Sequence, residues 1–140
     1  MPRNLYHIAR KNYGPTVRWK PHVPETLTKG GKEDDITPRI VFCPTIIGCL
    51  RAIVGSQNWK LGLTDLLGPE GNPKYAKRVA YVYRLFVYDP KLIYTPTEEE
   101  LHDQKRSGEV WYLGPATLKL VGELNHESFK HSEPQPIWYD

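Results

Sequence analysis

The stretch Thr37 to Ile53, TPRIVFCPTIIGCLRAI, constrains what this chain can fold into more than any other. Arg39-Ile40-Val41-Phe42-Cys43 is a short run of mostly β-branched and aromatic residues behind Thr-Pro, as in a buried, central strand. Pro44 suits the first turn of a helix, where its missing N–H has no partner to lose. Beyond it, Ile46, Ile47, Leu50, Ile53 and Val54 form one apolar stripe at helical spacing, and Gly55 can close the helix. A strand that runs straight into a helix points unpaired backbone N–H groups out of the sheet, where they can meet an anion or a nucleotide. Thr45 either lies near such an anion or simply satisfies the helix start, the commoner use of a threonine there.

Around this unit the sequence predicts short strands and many loops. Leu5 to Ala9 (LYHIA) reads as a first strand with His7 as its polar member. Tyr13-Gly14-Pro15 turns, and Thr16 to Val23 reads as an edge segment or lid-like loop, because Pro21 and Pro24 exclude a central strand. Leu61 to Leu67 is a short helix or irregular packing. Val79 to Tyr88 (VAYVYRLFVY) is the strongest strand signal, and Leu92-Ile93-Tyr94 is a short extended piece. Thr97-Glu98-Glu99-Glu100 has capping-box spacing and predicts a small helix to about Gln104. Glu109 to Leu113 and Thr117 to Leu124 complete the strands. The count predicts an α+β, mainly antiparallel fold with two or three short helices.

At 140 residues the chain suits a single domain, assigned to residues 1–125, with residues 126–140 as a loosely packed tail. Hydrophobic residues at 39% and charged residues at 25% exclude a disordered chain. Nine tyrosines and four tryptophans against one methionine favour a β-rich core. A net charge of +3 gives no strong nucleic-acid signal and leaves room for a phosphate-bearing ligand in a locally basic cleft. Cys43 and Cys49 lack CxxC spacing, so no metal is expected, and they read as small core hydrophobes. No leader and no apolar run of about 20 residues stands in the sequence, so a cytoplasmic protein with no membrane partner is expected.

Three local patterns stand in order: LYHIA with His7, RIVFCPTIIGCL, and GEVWYL with Glu109 followed by GPATLKLVGEL. This arrangement resembles the ADP-ribosyltransferase superfamily in its His-Tyr-Glu branch, over roughly Asn4 to Leu124. The resemblance implies a split, mainly antiparallel β-fold that grips NAD, as substrate, in the cleft between two sheets. It implies that His7 bonds the adenosine-side ribose. Glu109 would hold the 2′-hydroxyl of the nicotinamide ribose and stabilise the positive charge that develops as the glycosidic bond breaks. It also implies Arg10, Arg39 and Thr45 near the phosphates, and a transferase that passes ADP-ribose to a macromolecular acceptor, or an NAD glycohydrolase that passes it to water. The family's central tyrosine has Val41 as its counterpart here, and no tyrosine occurs between Thr37 and Ile53. Loss of that ring removes a stacking platform, which Tyr13, Trp19 or Phe42 would have to replace.

Each sharp reading has a plainer one beside it. His7 can be a hydrogen-bonded core residue, and Glu109 a solvated residue at a sheet edge. Arg39 can pair with Asp34 or Asp35 on the surface, and Arg10, Lys11, Arg18 and Lys20 can belong to a solvated face. The alternative function is a small non-catalytic binding or inhibitor protein on the same fold, which sequesters a nucleotide signal or blocks a partner protein. A chain of this size and style suits a phage or mobile element.

Overall fold

The structure is a computed structural model that describes residues 4–22, 38–97 and 107–139. Eight strands lie among these residues: β1 (Tyr6–Ala9), β2 (Thr16–Trp19), β3 (Ile40–Phe42), β4 (Ala80–Val87), β5 (Ile93–Tyr94), β6 (Val110–Tyr112), β7 (Ala116–Leu124) and β8 (Ile137–Trp138). Two α-helices, α1 (Ile46–Val54) and α2 (Trp59–Leu67), stand between β3 and β4. The larger sheet runs β1-β4-β7-β2 with β8 added to β7, and the smaller runs β3-β6-β5. Every ladder between these strands is antiparallel, so the α+β, mainly antiparallel class holds.

β3 is not the central strand that its composition suggested. It ends the smaller sheet, yet it is also the joint between the two sheets. Tyr6 and Cys43 exchange backbone hydrogen bonds of 2.8 and 3.0 Å, a backbone pair that ties β1 to the end of β3. β3 is buried because both of its flanks are occupied, by β6 on one side and by this bridge on the other.

The alternation of side chains along the strands builds two cores. On one face of the larger sheet Ile8, Ala80, Val82 and Leu124 pack against Leu50, Leu63, Leu66 and Leu67 of the helices. On the other face Leu5, Ala9, Tyr83, Leu85 and Leu118 meet Ile40, Phe42, Val110 and Tyr112 of the smaller sheet. β4 serves both cores, which is why its sequence is apolar on both faces rather than alternating with polar residues. The order is therefore helices, larger sheet, smaller sheet.

Residues 126–139 do not form the loose tail that their polarity predicted. A 3-10 turn at His126–Lys130 buries Phe129 at 2% exposure in the helix-side core, and Ser128 Oγ donates to the Gln135 carbonyl. β8 then pairs with β7, Gly122 opposite Trp138. One buried ring and a short ladder outweigh the polar composition. The short helix predicted from Thr97 to Gln104 falls almost wholly outside the described residues. Within the stretch predicted from Thr16 to Val23, Thr16–Trp19 forms an edge strand, since β2 ends the larger sheet, and Val23 lies outside the described residues.

Tyr83 shows how this core positions a loop. Its hydroxyl donates to the Gly14 carbonyl at 2.9 Å and accepts from the Tyr13 N–H at 2.8 Å, pinning the turn between β1 and β2. Burial pushes its phenol pKa above the usual value. Tyr83→Phe leaves both backbone groups without that partner and should cost about 1–3 kcal/mol in denaturant unfolding. It should also speed amide exchange at Tyr13.

Candidate functional site

His7 is the polar member of β1, and by alternation it shares the face of Leu5 and Ala9, toward the smaller sheet. Its Nδ1 lies 3.0 Å from the carbonyl oxygen of Val41, so the neutral ring donates there and holds Nε2 as an acceptor. Rings wall it in: Trp19 stands edge-on at 5.0 Å between centroids and Phe42 at 6.2 Å. Tyr13 stands edge-on to Trp19 at 5.4 Å. The structure thus gathers His7, Phe42, Trp19 and Tyr13 into one aromatic cluster at the seam between the sheets. Phe42 is 1% exposed whereas Tyr13 is 46% exposed, so Tyr13 is the ring with a face open to a ligand.

Burial holds the His7 pKa below its ordinary 6.5; the Val41 bond opposes this and the nearby His22 reinforces it. Because the folded value lies below the unfolded one, the unfolded chain takes up the extra proton as pH falls through 6.5. Stability should be full above that pH, decline below it, and level off below the folded pKa. His7→Gln keeps a polar group near Val41 without titrating, and it should flatten that decline below pH 6.5 in denaturant melts.

A second cluster surrounds Glu109. Gly108 precedes it with φ of 70°, and the Glu109 N–H donates to Ser107 Oγ at 3.1 Å. Its carboxylate accepts from the Trp111 indole N–H at 2.8 Å, and the residue is 5% exposed. It is therefore not the solvated residue at a sheet edge of the plainer reading. The Glu109–Trp111 bond follows from strand geometry, because residues two apart project to the same side. The Arg39 guanidinium sits 4.1 Å from the Trp111 ring centre. Arg39 is fully buried, which corrects the open phosphate contact read from sequence; Asp34 and Asp35, its expected ion-pair partners, lie outside the described residues. Trp111 is the residue that organises this cluster, and sequence reading passed it over; the Glu-Val-Trp spacing was the available signal.

β3 connects the two clusters. Val41 gives its carbonyl to His7 and pairs with Trp111, while Phe42 pairs with Val110 beside Glu109. Phe42, Val110 and Tyr112 point into the inter-sheet core, and Arg39, Val41 and Trp111 occupy the alternate positions. His7 thus bonds β3 from the inter-sheet side, whereas Glu109, bonded to Trp111 two residues along its own strand, belongs to the alternate face of the smaller sheet.

Two expected residues stand elsewhere. Arg10 is exposed and pairs with Asp65 of α2, through both the carboxylate and, at 2.6 Å, the backbone carbonyl. Thr45 caps α1, its hydroxyl accepting from the Gly48 N–H at 3.0 Å. Among the described residues no group of three His, Cys, Asp or Glu lies close enough to hold a metal ion, and no helix is long and apolar enough to cross a membrane. Cys43 and Cys49 are in no disulfide and lie buried in the helix-side core. Comparison of the chain with protein-family models, with curated proteins and with solved structures found no match to any of them.

Proposed function

We propose that this chain is an ADP-ribosyltransferase-like protein that binds NAD at the seam between its two sheets and cleaves the nicotinamide–ribose bond. One observation supports the reading: His7 bonds the Val41 carbonyl on β3, and Glu109, 102 positions further on, is buried against Trp111, the residue that pairs with Val41. His7 would bond the adenosine-side ribose. Glu109 would hold the 2′-hydroxyl of the nicotinamide ribose and stabilise the oxocarbenium-like charge as the C1′–N bond breaks. Nicotinamide leaves with the bonding electron pair, and water or a macromolecular nucleophile attacks C1′ and releases a proton. With water the products are ADP-ribose, nicotinamide and one proton. Tyr13, the exposed ring of the cluster, would supply the stacking face that Val41 does not.

The second reading, a non-catalytic protein that sequesters a nucleotide or blocks a partner, is favoured by Val41 at the position of the family's tyrosine. Calorimetric titration with NAD, followed by chromatography for free nicotinamide, separates the two. Binding weakened about tenfold in His7→Ala, with nicotinamide released, supports the transferase or glycohydrolase. Binding without release supports the sequestering protein. Absence of NAD binding defeats both forms of the nucleotide reading.

A further inference from the structure

The helices cover only half of the larger sheet's outer face. At the other half a row of paired residues crosses four strands: Tyr6 on β1 opposite Arg84 on β4, Arg84 opposite Lys119 on β7, and Lys119 opposite Thr16 on β2. Directly opposed residues project to the same side of a sheet, and so do residues two apart on one strand. Arg18, two residues after Thr16, therefore adds a third cation to this face. Phe86 lies there too, with Lys119 Nζ 5.7 Å from its ring centre. Trp138 closes the other side, 5.8 Å from the Tyr6 ring.

This face differs from an ordinary solvated one in two respects. Its rings stand in the open: Phe86 is 53% exposed and Trp138 50%. Its cations also lack a carboxylate partner among the described residues, where none of Arg18, Arg84 and Lys119 forms an ion pair. The five strands of this sheet carry one carboxylate, Glu123, and that is taken by the Tyr139 hydroxyl at 2.8 Å. Between the rings and the cations lies a groove of about 300 Å³, lined by Tyr6, Arg84, Lys119, Val121, Trp138 and Tyr139. A small net charge of +3 concealed this local concentration.

We propose that this open half of the larger sheet binds single-stranded nucleic acid, with phosphates on Arg18, Arg84 and Lys119 and bases stacked on Phe86 and Trp138. Unpaired cations match a phosphate chain, and exposed rings between them match unstacked bases, which a duplex does not offer. An acidic peptide would use the cations and leave the rings idle. The face lies on the opposite side of the larger sheet from His7, so the inference stands apart from the NAD reading.

The test is fluorescence anisotropy of a labelled ten-residue oligothymidine titrated with the full chain across a salt series. Three phosphate contacts predict a slope of log affinity against log salt near −2, at about −0.7 per contact. Arg84→Ala combined with Lys119→Ala should bring the slope to about −0.7 and weaken binding at least about tenfold. Trp138→Ala should weaken binding about tenfold with the slope unchanged. If that change loosens β8, Phe86→Ala reads the same stacking from a ring outside both cores. No binding, equal binding of a duplex or of polyglutamate, or indifference to both ring variants would each overturn the proposal.

Discussion

Glu109→Gln should leave NAD affinity within about threefold of the parent and lower nicotinamide release by at least about a hundredfold. The substitution keeps the shape and the hydrogen-bonding oxygen that Trp111 needs, and it removes only the negative charge. In the proposed reaction that charge matters chiefly when the ribose becomes cationic, so the loss falls on turnover and not on binding. Burial strengthens the effect, because a carboxylate at 5% exposure acts across little solvent. Trp111→Phe gives the companion measurement. It retains most of the ring volume beside Arg39 but takes away the indole N–H that aims the carboxylate. The lost donor and ring volume should lower Tm, and a fall in turnover measured well below the melt, smaller than that of Glu109→Gln, would identify Trp111 as a positioning residue. Should the Glu109→Gln variant release nicotinamide at the parent's rate, Glu109 is structural and the sequestering reading stands.

The elements were largely legible in sequence because each rests on local chemistry. Pro44 and the stripe from Ile46 announced α1, and the long β-branched and aromatic run from Val79 announced β4. What could not be read was the joining. Whether β3 sits centrally or at a seam depends on which strands flank it, and the Tyr6–Cys43 pair that decides this leaves no trace in either segment's composition. The candidate site divides in the same way. His7 and Glu109 were found by their place in short patterns, whereas Trp111 and Tyr83 act through contacts fixed only after folding. Arg39 misled most plainly, since an arginine in sequence does not reveal that a tryptophan ring from another strand will cover it. The C-terminal segment misled by averaging: one buried Phe129 and a two-residue ladder to β7 anchor it despite its polar composition.

Gly62→Ala should destabilise the fold by about 2 kcal/mol net, a loss in Tm of several degrees. On an exposed helix the same change would stabilise, by up to about 1 kcal/mol, because alanine is the better helix former. Here α2 crosses α1 so closely that a methyl group at Gly62 would collide with the Leu50 carbonyl, whose carbon would lie 2.7 Å away. The obstacle is backbone within a helix and cannot rotate aside, so the helices must part, and Leu50 and Leu63, both fully buried between them, lose contact. Overpacking of this kind costs typically about 1–3 kcal/mol and here lies at the upper end, which outweighs the gain in propensity. Leu61→Ala is the matched control, since Leu61 is 51% exposed on the same helix and its loss should change stability by less than about 0.5 kcal/mol. Gly48→Ala should behave like Gly62→Ala for a different reason. Its methyl would press on the Ser107 backbone, with the carbonyl carbon at 3.2 Å, and push away the segment that delivers Glu109 to β6. The two glycine variants therefore part company in function: Gly62→Ala should lower Tm with nicotinamide release retained below the melt, whereas Gly48→Ala should lower both. A rise in Tm for Gly62→Ala would mean that the helices do not approach as closely as described.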